Sequence, residues 1–297
     1  MESVDDVLAL ETGDLDPLHS PVLLVALSGL FDIAGVATTA LDEFAPAERA
    51  VTIGEIDPDP FYDFTQARPT VEIDEGGVRA LSWPDNEFDV VRNPGHRDLV
   101  VLVGTEPHLS WRTYAGCVRR VAEELGCEVM VTVGATAEAA PHTRQPRVTG
   151  STTDPALARA LGIGAPTYQG PTGVAGVLQA EFAAAGIPSV SLRVGVPHYL
   201  MGAEHPAAIA ALQAHLAHVL GVPMPPLPDD EPDREAEIAR WRALHDEAVG
   251  ADPQLERYVR MLELEYDRWA EAEIPSADDL AAQFEQFLND HRPDDNP

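Results

Sequence analysis

The sequence predicts an α/β protein whose sheet is mostly parallel. Apolar runs of strand length, such as residues 22–27 and 99–103, are typical of strands that are buried on both faces. Segments of helical length separate these runs, and glycines follow several of them. Because parallel strands need crossover connections, this alternation favours βαβ units with right-handed crossovers.

The predicted elements of the main domain occupy residues 1–222. Strands are expected at residues 22–27, 51–56, 98–104, 127–133 and 189–194. A hairpin is expected from the runs 71–74 and 78–83, which flank a turn containing Gly76 and Gly77. Helices are expected at residues 32–44, 111–125, 155–161, 172–185 and 206–220. The order of the strands in the sheet does not follow from this pattern.

The composition of the chain changes after residue 222. Residues 223–234 are rich in proline and acidic side chains, which predicts a linker. Residues 235–297 are expected to form an acidic helical region, with helices at 235–249, from Pro253 and from Ser276. Apolar stripes on these helices need a shared surface, so the helices are expected to pack on one another, on the main domain or on another subunit.

The charge of the chain excludes several classes of function. Its formal net charge is −31, so nucleic acid and membranes are poor partners. All 19 basic residues are arginines, which excludes a Schiff-base lysine and a P-loop lysine. With no secretory signal after Met1 and two cysteines expected to be buried thiols, we expect a cytoplasmic protein. No cofactor is expected.

Polar segments follow the predicted parallel strands, at the edge where ligands bind in open α/β sheets. Loops and helix N-termini converge there, so residues far apart in the sequence are expected to lie together. A glycine-rich segment, residues 168–176, is assigned to the same edge. The candidates for ligand binding are Asp32, Glu106, His108, His142, Arg144, Gly170, Thr172, Gly173, His198 and Tyr199. No catalytic residue is assigned.

These candidates also have structural interpretations. Asp32 is placed to be a helix N-cap, and the glycines of 170–176 suit a tight turn as well as a phosphate nest. Arg144 is expected either to pair with Glu106 or to accept an anion. A metal site is not favoured, because loop histidines usually only form hydrogen bonds. If a metal is bound, its expected ligands are His108, His142 and His198.

Several of these segments form an ordered set of short motifs. The set consists of residues 31–35, 104–107 with Trp111, 141–144, 168–174, 186–188 and 196–199, with a further pattern at 275–278 and 287–288. Such an ordered set is far more specific than any one motif. Between residues 20 and 220 it resembles the proteasome assembly chaperone two family, in its actinobacterial single-chain form.

The resemblance implies an α/β/α sandwich similar to the nucleoside-phosphorylase and hydrolase type, self-association and no settled enzymatic activity. The eukaryotic members of the family are assembly chaperones for the α-ring of the proteasome. Fold kinship to phosphorylases does not transfer a reaction. Phosphorolysis would also need a basic phosphate site, and the candidates for it near the edge are Arg144, Arg147 and Arg193. Residues 294–297 lack the hydrophobic-tyrosine-any tripeptide of many proteasome-docking proteins, so docking through the tail is not expected.

Two functional hypotheses follow. The leading one is a non-catalytic binding or assembly protein that acts through protein–protein contacts, with a small-ligand site at the strand-end edge as an option. Its expected partners are itself, as a homo-oligomer, and proteasome subunits or another protein. The alternative is an uncharacterised enzyme at the same edge, either a hydrolase or phosphorylase or a carboxylate–amine ligase. The missing lysines disfavour the ligase.

Overall fold

The computed structural model describes residues 3–13, 15–73, 77–225 and 233–273. Within them the strands are β1 Leu8–Leu10, β2 Val22–Ser28, β3 Ala50–Ile56, β4 Thr70–Ile73, β5 Arg79–Ser82, β6 Asn86–Val91, β7 Leu99–Thr105, β8 Val129–Glu138, β9 Val148–Thr152 and β10 Ser189–Pro197. The α-helices are α1 Val4–Val7, α2 Val36–Phe44, α3 Trp111–Glu124, α4 Pro155–Leu161, α5 Val174–Ala184, α6 Pro206–Leu220, α7 Arg234–Gly250 and α8 Pro253–Glu273. The helix predicted from Ser276 lies outside the described residues.

Eight of the described strands form one sheet, in the order β1-β3-β6-β7-β2-β8-β10-β9. Four neighbouring strands, β7, β2, β8 and β10, are parallel to one another. The remaining neighbours pair antiparallel, so β3 runs in the same direction as these four, whereas β1, β6 and β9 run against them. The strands β4 and β5 form the predicted hairpin, which is a separate two-stranded sheet.

The central strand β2 shows why a continuous apolar run marks a strand buried on both faces. Val22, Leu24 and Ala26 belong to one hydrophobic core, and Leu23 and Val25 belong to the other. The first core includes residues of α2 and α6, and the second includes residues of α3 and α5. Side chains alternate between the faces of a strand, so both sets must be apolar when helices cover both faces. The predicted three-layer α/β/α sandwich is confirmed.

Some element boundaries differ from the prediction for identifiable reasons. The sequence does not predict β1, β6 and β9, because β1 is short and the other two are rich in polar residues. The helix expected from Asp32 begins at Val36, since Ala34 and Gly35 adopt positive φ in a short 3-10 turn before it. The helix expected from Thr172 begins at Val174. Cys117 and Cys127 are buried free thiols, as expected.

The helices α7 and α8 lie against the α/β domain. At the start of α7, Arg234 pairs with Glu43 of α2. Val249, Val259 and Leu262 of the two helices are buried. The apolar stripe predicted for the helix from Pro253 therefore faces protein, at least at Val259 and Leu262. None of the described helices, including these two, is both long and apolar enough to cross a membrane.

The close packing of β7 against β6 generates a first prediction. A Cβ atom on Gly104 would lie 2.2 Å from Oδ1 of Asn86 and 2.7 Å from the carbonyl oxygen of Asp85. Oδ1 of Asn86 is buried and accepts a hydrogen bond of 2.8 Å from the Tyr114 hydroxyl, so it has no room to move. We expect Gly104→Ala to lower the free energy of unfolding by about 1–3 kcal/mol, measured by chemical denaturation.

The matched control is Gly250→Ala in α7, because a Cβ atom at that position meets nothing within 4 Å. Alanine is favoured over glycine in a helix, so this variant should be at least as stable as the parent protein. Equal stabilities for the two variants would contradict the packing described for β6 and β7.

Candidate functional site

The carboxyl ends of β2, β7, β8 and β10 lie at one edge of the sheet, because these strands are adjacent and parallel. The segments that follow them carry the sequence candidates Asp32, Glu106, His142 and His198. The structure brings His142 and His198 together around Tyr199, whose ring packs edge-on against both imidazoles. Asp32 and Glu106 make separate contacts, and most contacts of all four residues join this edge to a neighbouring helix.

Glu106 joins the loop after β2 to the start of α5. Its Oε2 atom accepts a hydrogen bond of 3.0 Å from the Leu30 N–H, and its Oε1 atom accepts one of 3.0 Å from the Val174 N–H. A Cβ atom on Gly29 would lie 2.6 Å from Oε2, and one on Gly173 would lie 2.8 Å from Oε1. A side chain at either position would therefore displace the carboxylate from these two N–H groups. A carboxylate at a helix N-terminus is also favoured electrostatically.

Asp32 caps α2, which is the structural interpretation that the sequence favours for it. Its Oδ1 atom accepts hydrogen bonds from the N–H groups of Ala37 at 2.7 Å and Thr38 at 3.3 Å. Its Oδ2 atom accepts one of 2.7 Å from the Thr38 hydroxyl. The residue is 8% exposed. Both carboxylate oxygens therefore serve the start of the helix.

The buried side chain of His142 lies at the centre of a hydrogen-bonded set of residues that connects two loops with α7. Oη of Tyr199 lies 2.9 Å from the backbone nitrogen of His142 and 2.7 Å from its Nδ1 atom. Nε2 of His142 lies 3.2 Å from Oδ1 of Asp246, and the rings of Trp241 and His245 pack around the imidazole. With the proton on Nε2, the Tyr199 hydroxyl donates to Nδ1 and Nε2 donates to Asp246. Every polar atom of the imidazole then has a partner within the chain.

Burial controls the protonation of this pair. It lowers the pKa of His142, although the nearby carboxylate of Asp246 opposes the effect. It raises the pKa of Tyr199 to about 12. Both side chains are therefore uncharged near neutral pH and act through hydrogen bonds.

His198 and Arg144 hold α8 against the same edge. Nδ1 of His198 lies 3.0 Å from the carbonyl oxygen of Glu138, and its Nε2 lies 3.1 Å from the Tyr258 hydroxyl. Arg144 donates to both carboxylate oxygens of Asp267, at 2.8 and 2.9 Å, and to Glu263 at 3.2 Å.

The expected pairing of Arg144 with Glu106 is therefore wrong. The partners of Arg144 come from α8, which lies more than 100 positions further along the chain. A bidentate arginine–carboxylate pair has a specific geometry, so it fixes the orientation of α8 as well as its position. The alternative expectation, an anion bound by Arg144, conflicts with this arrangement because carboxylates of α8 already occupy the guanidinium.

His108 lies apart from the other two histidines. Its N–H donates to the Phe61 carbonyl oxygen at 2.9 Å, and its Nδ1 accepts a hydrogen bond of 3.2 Å from the Asp63 N–H. Its ring packs edge-on against Tyr62. Across residues 3–13, 15–73, 77–225 and 233–273, no group of three His, Cys, Asp or Glu side chains is placed to hold a metal ion. In the described part of the chain, His108, His142 and His198 thus do not come together as the ligands of one metal ion.

A polar cleft of about 390 Å³ lies beside this edge, between β9, β10 and α5. The candidates Gly170 and Thr172 line it, together with Ser191 and Arg193 of β10. Ser191 is not among the sequence candidates, whereas Arg193 is one of the three arginines considered for a phosphate site. The signal for both is that apolar residues alternate with these two along β10, so one face of this strand is polar.

The buried histidines generate a prediction about pH. Burial lowers the pKa of His142 and of His205 below the ordinary value of 6.5, so below that pH the unfolded chain takes up protons that the folded protein does not. This contribution to stability is complete above pH 6.5 and is lost as the pH falls through the folded-state pKa values. We expect the urea concentration at the unfolding midpoint to be lower at pH 5.5 than at pH 8.

His142→Gln should show a smaller decrease than the parent protein, because glutamine does not titrate. His218→Gln is the matched control, since His218 is exposed on α6 and should leave the decrease unchanged. A midpoint that is the same at both pH values, or an equal decrease in all three proteins, would contradict the burial argument.

Comparison with known proteins agrees with the motifs at this edge. A profile of the PAC2 family matches residues 26–243. A PAC2 family protein from Streptomyces avermitilis is 34% identical with a TM-score of 0.72, and 80% of this chain and 99% of that chain are covered. A proteasome-assembly chaperone homologue from Mycobacterium tuberculosis is 35% identical with a TM-score of 0.71 and the same coverage. No curated protein matches the chain.

A protein of unknown function from Corynebacterium glutamicum shares the fold at 23% identity, with a TM-score of 0.78, and 90% of this chain and 99% of that chain are covered. The profile match spans well over half of the chain and includes the loops that carry Asp32, Glu106, His142 and His198. The resemblance found in the sequence is therefore confirmed, and the chain belongs to the PAC2 family.

Proposed function

We propose that this protein is a non-catalytic binding and assembly protein that acts through protein–protein contacts. One observation carries the proposal: the polar side chains at the strand-end edge are bound within the chain. His142, His198 and Arg144 contact α7 or α8, and Glu106 holds the start of α5. In α/β enzymes the corresponding edge faces a ligand. Here its hydrogen bonds and charges hold the helices in place.

The family supports the same proposal. The Mycobacterium tuberculosis relative is named as a proteasome-assembly chaperone homologue, and it is 35% identical over 99% of its own length. On this basis proteasome subunits are the first candidates for a protein partner. A second copy of the chain is the other expected partner.

The apolar face of the β4–β5 hairpin is the surface that we propose for self-association. Val71 lies opposite Leu81 in the hairpin, and Ile73 is on the same face as Val71. These three side chains are 44%, 57% and 68% exposed, respectively. An isolated two-stranded hairpin is marginally stable in water, so a face of this kind favours burial against a partner. In a two-fold dimer the same face of the second copy supplies that surface.

Substitution on this face tests the proposal. The mass of the full-length protein by light scattering should be a multiple of 31.9 kDa. Leu81→Asp should shift it to the monomer mass, because a buried charge opposes an apolar contact. Leu244→Asp is the matched control, since Leu244 is 64% exposed on α7 and away from the hairpin. A monomeric parent protein, or an oligomer that Leu81→Asp leaves intact, would overturn this choice of surface.

A separate experiment tests the assembly role itself. Tagged full-length protein should capture proteasome subunits from its own organism, and deletion of the gene should slow proteasome assembly. The assembly role is wrong if the tagged protein captures no protein other than further copies of itself and if proteasome assembly is unchanged in the deletion strain.

A further inference from the structure

Arg193 is a half-buried cation without an acidic partner among the residues that the structure describes. The carbon of its guanidinium lies 4.5 Å from the centroid of the Phe31 ring. Burial lowers the pKa of Arg193, whereas the carboxylates of α8 raise the pKa of Arg144. A cation that loses water without gaining a counter-ion is destabilised. This position therefore favours the arrival of an anion.

The cleft beside Arg193 is lined by groups that form hydrogen bonds. They are Thr149, Ser151, Thr172, Gln179 and Ser191. On the opposite face of β10, Val190, Leu192 and Val194 pack into the core. Buried hydroxyls on the α5 side of β10, such as that of Ser191, are costly unless they meet polar partners or water. A cleft of about 390 Å³ is within the usual range for small-ligand sites.

Phe31 and the glycines around it hold the arginine in position. A Cβ atom on Gly134 would lie 3.5 Å from Cβ of Phe31 and 3.6 Å from Cγ of Arg193. A Cβ atom on Gly173 would lie 3.1 Å from the Phe31 ring. The ring is thus packed between the start of α5 and the guanidinium, and an arginine stacked on an aromatic ring is pre-oriented for its donors.

We propose that this cleft binds a small hydroxylated ligand that carries one oxyanion group, either a carboxylate or a phosphate, with Arg193 as the anchor of that group. The guanidinium presents donors in a fork that matches both kinds of oxyanion. Among the described residues that line the cleft, Arg193 is the one basic side chain, so it suits a single anionic group. The serine and threonine hydroxyls can form hydrogen bonds with hydroxyl groups on the rest of the ligand. The inference does not depend on the proposed assembly function.

Calorimetric titration of the full-length protein tests the proposal with three probes at constant ionic strength. Ribose 5-phosphate presents a phosphate, gluconate presents a carboxylate, and ribose presents hydroxyls alone. We expect at least one anionic probe to bind and ribose to bind more weakly by at least about tenfold, the effect of one charge-assisted hydrogen bond. The probe that binds more tightly distinguishes a phosphate ligand from a carboxylate ligand.

Arg193→Gln should weaken binding of that probe by at least about tenfold. Arg120→Gln is the matched control, because it changes the charge equally at an exposed position of α3 and should bind as the parent protein does. Should Arg193→Gln fail to fold, Thr149→Val and Ser191→Ala on the cleft floor take its place, each with a smaller expected loss of affinity.

The proposal is wrong if neither anion binds more tightly than ribose, or if the cleft variants bind as tightly as Arg120→Gln. Light scattering of the same samples separates this failure from a loss of self-association, and the capture experiment tests the assembly function independently. None of the cleft substitutions lies on the hairpin, so they should leave the mass in solution unchanged.

Discussion

The polar contacts that hold α7 and α8 against the carboxyl edge of the sheet determine which side chains of that edge are left to bind a partner. The bidentate pair between Arg144 and Asp267 fixes α8, and the hydrogen bond between the buried His142 and the half-buried Tyr199 fixes the loops beneath α7. A buried histidine whose nitrogens are all engaged is costly to disturb, because each freed polar group would need a new partner. The edge that serves as an active site in many α/β folds therefore holds α7 and α8 in place in this chain. We call this set of contacts the structural joint.

Two other surfaces are open to partners. The β4–β5 hairpin exposes Ile73 and Leu81, which suits an apolar protein partner. The cleft between β9, β10 and α5 presents Arg193 and several hydroxyls, which suits a small anion. The strong negative charge of the chain opposes non-specific association at both surfaces. Specific contacts must therefore come from local complementarity.

The fold could be predicted from the sequence more fully than the site. Strands such as β2 are apolar on both faces because helices cover both, and that constraint is visible in a single run of residues. The partners of Arg144 could not be predicted in this way. Asp267 and Glu263 are two of many acidic residues in an acidic region, and nothing local connects them with a loop more than 100 positions earlier. Arg193 was one of three arginines considered near the edge, but the sequence could not show that carboxylates of α8 occupy Arg144 whereas Arg193 lines a cleft.

Hydrogen–deuterium exchange of the backbone amides in α8 tests the central claim most directly. The account predicts that Arg144→Ala speeds exchange throughout α8, because the helix loses the pair that docks it. Arg260→Ala is the matched control, since Arg260 is exposed and pairs with Glu256 within α8 itself, and it should leave exchange near the parent rate. Unchanged exchange in Arg144→Ala would contradict the claim that the strand-end edge is a structural joint.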